Sequence, residues 1–253
     1  MLSLLENTGR FAGFAAELLW RMPSALARPT DLADQCYRVG VGALPLVSAA
    51  AVSIGVVSWL QTRAMLADFG SETLLPGFVA VFVVVGLAPV LTGLVVSGQV
   101  GARLGAELGS MKITEQIDAL ESMGMGRTRY LAASRVLACV LMTPLLTVCL
   151  DCLALVASFS AEAIGGNMAW QQYAAESLRF LTLKNVLPAT LSSLLFGFLI
   201  GSLSCWFGFE AGHGTEEVGR ASTRGVVASM LAVLLANILW VRTSEILMNR
   251  LLP

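Results

Sequence analysis

Few residues in this chain have both the type and the setting for chemistry. Asp151 stands inside the apolar run 136–161, where an ionised carboxylate is costly unless paired or hydrated. Two readings stay open for it: a proton- or headgroup-sensitive group facing a cavity, or a buried carboxyl bonded to a neighbouring helix. Cys149 and Cys152 have C-x-x-C spacing, but a zinc site needs more ligands. The single histidine, His213, is far away in sequence. Of the five cysteines, Cys36, Cys139, Cys149, Cys152 and Cys205, the pair Cys149 and Cys152 reads as small apolar residues in a membrane helix. Lys112 and Lys184 are the only lysines and neither follows a glycine, so no P-loop is present. If ATP drives this protein, another subunit binds it. No pairing of nucleophile with base emerges, and no catalytic site or metal site is assigned.

The elements that must carry these residues follow from composition. Of 253 residues, 56% are hydrophobic and only 13% are charged, about half the roughly 25% of a soluble domain. The net charge is −1. So little charge cannot cover a soluble surface, and a nearly neutral chain excludes nucleic acid held by phosphate neutralisation. The chain reads as an integral membrane protein.

Charge-free intervals locate the spans, since about 20 apolar residues cross the hydrocarbon core. They are 39–62, 73–102, 136–161 (broken only by Asp151), 185–209 and 225–247, the last extending past Arg242 by snorkelling. Eleven of the sixteen basic residues lie in 1–38, 103–135 and 210–224, which favours an N-terminus inside and a C-terminus outside. The first charge is Glu6, with no basic stretch before it, so no cleavable signal peptide is expected. Residues 1–22 form an amphipathic helix. Glu6, Arg10, Glu17 and Arg21 share one sector, and Leu4, Phe11, Phe14, Ala15, Leu18 and Met22 face the other way, as in a helix lying in the membrane interface. Pro23 and Pro29 flank the break that follows, and 28–38 reads as a polar elbow. The expected fold is an all-α membrane protein: an N-terminal interfacial amphipathic helix, five transmembrane helices, and a short helix between the second and third spans.

Small residues recur every fourth position at Gly93, Ser97, Gly101, Gly105 and Gly109, beside a second row of Gly98, Ala102, Ala106 and Ser110. Such faces allow close approach of a neighbouring helix. Gln99, Glu107 and Asp151 are the candidate functional polar residues within or near the ends of the spans. Arg103 lies at i−4 from Glu107, which suggests a local ion pair, and Arg242 with Glu245 suggests another. The short helix covers 114–124, Thr114-Glu115-Gln116-Ile117-Asp118-Ala119-Leu120-Glu121-Ser122-Met123-Gly124. Thr114 can cap it, Glu115 suits its N-terminus, and Gly124 or Gly126 can end it. Ile117, Leu120 and Met123 offer an apolar edge between Glu115, Asp118 and Glu121, suited to lie on a soluble partner.

The stretch 88–138 closely resembles the signature of the MlaE (YrbE) permease family, the membrane subunit of Mce-associated ABC lipid transporters. The matching residues are Pro89, Gly98, Gly101, Ala106-Glu107-Leu108-Gly109, Met111, Thr114 through Glu121, Met123-Gly124, Tyr130-Leu131 and Arg135-Val136-Leu137-Ala138. A second block, Glu217-Val218-Gly219-Arg220-Ala221-Ser222-Thr223-Arg224 with Val226-Val227, resembles the family's last cytoplasmic loop and the start of its fifth span. The resemblance covers nearly the whole chain, 1–253, as a single permease domain. It implies a homodimer of permeases in the bacterial inner membrane, a cytoplasmic ABC ATPase dimer carrying ATP and Mg, a periplasmic Mce-domain ring, a small STAS-type cytoplasmic subunit, and phospholipid in a cavity between the two copies. It also implies that 114–124 is the helix coupling to the ATPase, and that Glu217, Gly219, Arg220, Thr223 and Arg224 form a second cytoplasmic element. The first, second and fifth spans are expected to line the cavity.

Two departures stand out. Val85 and Gly86 occupy the place of the family's Arg-Glu pair, and Ser97-Gly98-Gln99 that of its Ala-Gly-Arg. A more apolar cavity, a different substrate and a non-identical dimer partner are all consistent with these losses. Two other function classes remain: an ATP-independent lipid carrier, and a membrane-embedded lipid-modifying enzyme using Asp151.

Overall fold

The computed structural model describes residues 2–67, 71–166, 168–212 and 214–251, and among them all regular structure is helical. Five helices are long and apolar enough to cross a membrane. In chain order the elements are α1 (Leu2–Arg21), α2 (Pro29–Ala67), α3 (Leu75–Ile113), α4 (Gln116–Ser122), α5 (Thr128–Gly165), α6 (Trp170–Phe180), α7 (Leu183–Phe209) and α8 (Thr215–Leu251). The spanning helices are α2, α3, α5, α7 and α8.

Every span outruns its charge-free interval. The 39 residues of α2 extend about 58 Å at 1.5 Å per residue, against a hydrocarbon core of about 30 Å. All of the expected polar elbow at 28–38 except Arg28 is helix. Pro29 opens it with its φ already set, Asp31 sits in the positive first turn, and Asp34 pairs with Arg38 at 2.8 Å one turn on. In the same way Glu217–Arg224 is not a loop but the opening turns of α8. There Glu216 and Glu217 lie in the first turn and hold Arg220 at 2.7 and 2.9 Å.

α3 is the hub of the bundle, touching α2, α5, α7 and α8. Half of its most apolar stretch is buried, the largest share among the spans, and α8 has the smallest. Its α-geometry gives way to π-helix at Phe82–Leu87 and Ser97–Gly101. The first stretch has a visible cause. Pro89 lacks an N–H, and its ring crowds the carbonyl of Val85 four residues earlier, so the helix widens by one residue there. The core between the spans is built from Val39, Val47, Val79, Val83, Val96, Leu104, Leu146, Leu150, Phe196, Ile200 and their neighbours.

The two ends of the bundle differ. At the end carrying α4, Arg28 stacks on Tyr130 at 3.9 Å and Arg10 reaches Glu210 at 3.3 Å, which gathers 1–38, 103–135 and 210–224 on one side. At the far end the Trp59 indole donates to Glu162 Oε2 at 2.7 Å, and Arg63 donates to the Gly165 carbonyl. The segment 162–184, read only as a connection, contains the amphipathic helix α6. Tyr173 of α6 is buried and shares a 2.8 Å hydrogen bond with Ser158. Burial pushes the Tyr173 phenol above its ordinary pKa.

α1 is the expected N-terminal amphipathic helix, and the structure adds where its apolar face packs. The side chain of Leu4 lies outside the described residues, but Phe14 and Leu18 are buried, and Phe14 packs on Trp206 and Phe209 of α7 with ring centroids 5.3 and 6.1 Å apart. The apolar face assigned to lipid is therefore spent on the bundle itself. Trp20, 88% exposed, and Leu19, 56% exposed, lie on the flank of α1 that is left uncovered.

Candidate functional site

The chain leaves α3 through a joint of two residues. Thr114 does not cap α4. Its hydroxyl turns back and donates to the Ser110 carbonyl at 2.9 Å, closing the end of α3. Glu115 takes the N-terminal flanking position with φ 57° and ψ 14°, without a side-chain capping bond. A left-handed residue with a Cβ is strained by roughly 1–2 kcal/mol, and here it redirects the backbone so that α4 can start. α4 stops in a Schellman arrangement. Gly124, at φ 77°, donates its N–H to the Glu121 carbonyl at 2.9 Å, and Met125 donates to Leu120 at 3.0 Å.

The two faces of α4 are sorted differently from the sequence reading. Ile117 is buried and Leu120 half-buried, in one cluster with Leu108 of α3, Leu131 of α5, Phe209 of α7 and Phe14 and Leu18 of α1. That apolar edge anchors α4 to its own bundle and is not available to a partner. The outward surface consists of Glu115, Gln116, Asp118, Ala119, Glu121 and Ser122, with Met123 beside them at 63% exposure. A short acidic ridge thus stands on a packed seat.

Charged groups brace this seat. Glu107 does not pair with Arg103; its Oε1 accepts from Arg135 Nη2 at 2.6 Å, joining α3 to α5. Arg103 instead donates to the Arg38 carbonyl of α2 at 2.7 Å. One turn away, Gln99 donates to the Gly42 carbonyl at 2.6 Å. The residues of the second expected element, Glu217, Gly219, Arg220, Thr223 and Arg224, lie on the opening turns of α8. Val218 there stands where a Cβ on Gly109 would touch it at 3.3 Å, so the start of α8 flanks the end of α3 just before the joint to α4. The pairing expected of Arg242 with Glu245 falls on a side chain outside the described residues, as does His213.

The row of small residues faces two helices. A Cβ on Gly93 would lie 2.8 Å from Val233 of α8. One on Gly101 would lie 3.0 Å from Ser204 of α7, and one on Gly105 3.0 Å from the Ser222 backbone. Ser222 also donates to the Ala102 carbonyl at 2.8 Å. Ser97 is buried in the same seam.

Halfway along the spans a groove of about 680 Å³ opens sideways between α2, α3 and α8. Pro45, Leu46 and Ala49 form one wall, Leu94, Val95 and Gly98 the floor, and Met230 the other wall; among the described residues lining it, Gln99 is the only one with an amide or hydroxyl side chain. These are the first, second and fifth spans. Gln99 lies in the π stretch Ser97–Gly101, and its amide is already engaged by Gly42. Val85 lines a separate pocket of about 300 Å³ near the far end, with Lys184, Asn185, Asn237 and Trp240. Asp151 is half-buried on α5, and its Oδ1 has no hydrogen-bond partner. Cys149 and Cys152, two before and one after it, project from other sides of the helix, so the three do not converge.

Residues 32–242 match the pattern of the family described as Permease MlaE. The chain belongs to the MlaE permease family. It is 32% identical to the probable ABC transporter permease protein of Rickettsia typhi over 205 residues, covering 81% of this chain and 79% of that one. It is 32% identical to a probable ABC transporter permease protein of Synechocystis over 211 residues, 81% and 78% of the two chains. A third, from Rickettsia bellii, is 29% identical over 240 residues, 93% and 91% of the two. This MlaE-family chain is thus a multi-pass membrane permease, a transport subunit of the ABC type. Two of its long-range pairings escaped sequence reading. Arg135 lies 28 positions from Glu107, beyond any helical period, and Trp59 lies 103 positions from Glu162.

Proposed function

We propose that this chain is the permease subunit of an ATP-driven phospholipid transport complex of the bacterial inner membrane. It works as a homodimer, with its N-terminus cytoplasmic and its C-terminus periplasmic. Eleven of sixteen basic residues in the segments gathered at the α4 end support that orientation. A cytoplasmic ATPase dimer, which binds the ATP and Mg, meets the acidic ridge of α4 and the opening turns of α8. An Mce-domain ring stands on the far end, and a small STAS-type subunit on the ATPase side. The observation carrying the lipid reading is the sideways groove between α2, α3 and α8. It is apolar, it opens sideways from the bundle, and among the described residues lining it the one polar side chain is already bonded. Acyl chains fit such a lining without discrimination of chain detail, because dispersion and area burial are non-directional.

The experiment has two arms on the reconstituted complex. Gly98→Trp fills the groove, and lipid transfer between labelled vesicles should fall to background while the ATPase stays bound. Charge reversal at Glu115, Asp118 and Glu121 should release the ATPase or uncouple hydrolysis from transfer. Normal lipid transfer in the first variant sinks the groove, and intact coupling in the second sinks the assignment of α4.

A further inference from the structure

A second concavity, at the α4 end, has a chemistry opposite to that of the groove. It encloses about 320 Å³ between α1, the end of α3, the start of α5 and the end of α7, and is lined by Arg10, Phe14, Lys112, Arg127, Trp206, Phe209 and Glu210. Three cations from three separate elements converge on it against one carboxylate. Arg10 lies over the Trp206 ring at 5.7 Å and Arg127 over Phe209 at 5.5 Å, so both guanidiniums are held at the mouth by aromatic faces.

The charges are unevenly satisfied. Arg10 has Glu210 at 3.3 Å, and Arg127 has Glu121 of α4 at 3.5 Å. Both contacts join partly exposed side chains, which a competing anion can displace. Lys112 is different. Its ammonium donates to the Phe209 carbonyl at 2.7 Å, the terminal turn of α7, and among the described residues no carboxylate lies within 4 Å of it. Two of its three donors are left for a ligand. Two guanidinium forks and an ammonium around one cavity suit an oxyanion with several acceptor oxygens. The wall of Trp206, Phe209 and Phe14 suits the glycerol and first methylenes that follow a lipid phosphate at a membrane interface.

The geometry points to a phosphate-anion site in this cavity, taking a phosphate that belongs either to an anionic phospholipid headgroup or to a free phosphate in solution. The site is separate from the groove and does not depend on lipid passing through the protein. It carries a regulatory consequence. An anion that captures Arg127 takes it from Glu121, so occupancy of the cavity alters the charge on the outward ridge of α4.

The test uses the full chain in neutral detergent, labelled with 5-fluorotryptophan, with the Trp206 fluorine resonance assigned through Trp206→Phe. Dihexanoyl-phosphatidylglycerol and inorganic phosphate are titrated separately, with dihexanoyl-phosphatidylcholine as the zwitterionic comparison. The expected result is a saturable shift of the Trp206 resonance with at least one of the two anions. Lys112→Gln should weaken binding about tenfold, and Lys112→Arg should retain it. A response to phosphatidylglycerol alone assigns the site to a headgroup; a response to inorganic phosphate assigns it to a soluble anion. No saturable shift with either anion, or an equal response to phosphatidylcholine, overturns the proposal. The wild-type titration decides this even if a variant fails to fold.

Discussion

Glu107→Leu removes the carboxylate that joins α3 to α5, and its cost can be worked from the surroundings of Arg135. That side chain is 8% exposed and Glu107 is 30% exposed. Of the guanidinium nitrogens, Nη2 donates to Glu107, Nη1 donates to the Leu131 carbonyl at 2.8 Å, and Nε has no partner. Without Glu107 a buried cation keeps one carbonyl. Breaking a fully buried pair costs about 3–5 kcal/mol. The opening through which Glu107 meets solvent lets water reach Arg135, which lowers the expectation to about 2–3 kcal/mol. At about 2–4 °C per kcal/mol for a chain of this size, thermal unfolding in detergent should move down by about 4–12 °C, followed by circular dichroism at 222 nm. The decisive measurement is the double variant. Glu107→Leu with Arg135→Met removes both charges and leaves apolar side chains of similar size, so stability should return to within about 1 kcal/mol of the parent. If the two single losses simply add, with a coupling below about 0.5 kcal/mol, the pair does not join the two helices as argued.

Three further outcomes follow from single contacts. Gly105→Val places its Cβ 3.0 Å from the Ser222 backbone, and overpacking of this kind should cost about 1–3 kcal/mol, read as a lower unfolding temperature in detergent; an unchanged transition refutes the close seam. Glu115→Gly relieves the left-handed strain at φ 57° and should stabilise by about 1 kcal/mol, seen as slower amide exchange across Gln116–Ser122. Trp59→Phe leaves the buried Glu162 carboxylate without its 2.7 Å donor and should cost about 1.5–3 kcal/mol in the same thermal assay.

How much of this was legible in the sequence depends on which physical rule each feature obeys. Hydrocarbon excludes charge, so the intervals between Arg38 and Arg63 or Lys184 and Glu210 located spans directly. The same rule is silent on where a helix ends, because Asp31 and Asp34 suit the positive opening turns of a helix and Arg38 is a good helix former in water. α2 and α8 therefore run well past their apolar cores. α6 was missed because Trp170–Phe180 is short and amphipathic, too polar for a span. The acidic residues of α4 are exposed, but Ile117, read as facing a partner, is buried in the bundle. An apolar edge looks the same in sequence whether it meets a partner or the ends of α3 and α5. Glu107 illustrates the remaining limit: the neighbour at i−4, Arg103, was the natural partner by period, yet it is drawn away to the Arg38 carbonyl by the approach of α2.

The burial of Ile117 also constrains how any force on α4 can act. Ile117 shares one close-packed cluster with Leu108, Leu131, Phe209, Phe14 and Leu18, and close-packed interiors transmit displacement rather than absorb it. A partner pressing on the ridge cannot swing α4 alone. Doing so would open a cavity under Ile117, and the left-handed joint at Glu115 is already at the edge of what a side-chain-bearing residue tolerates. The lower-energy motion carries the whole cluster, and with it the ends of α3, α5 and α7 and the strap of α1. Of these, α3 holds two π stretches, the second at Ser97–Gly101 forming part of the groove wall. π stretches are rare and occur frequently at functional sites. If the proposed coupling acts through α4, Gln99 and Gly98 of the groove lie on the same helix, α3, whose Leu108 packs on Ile117.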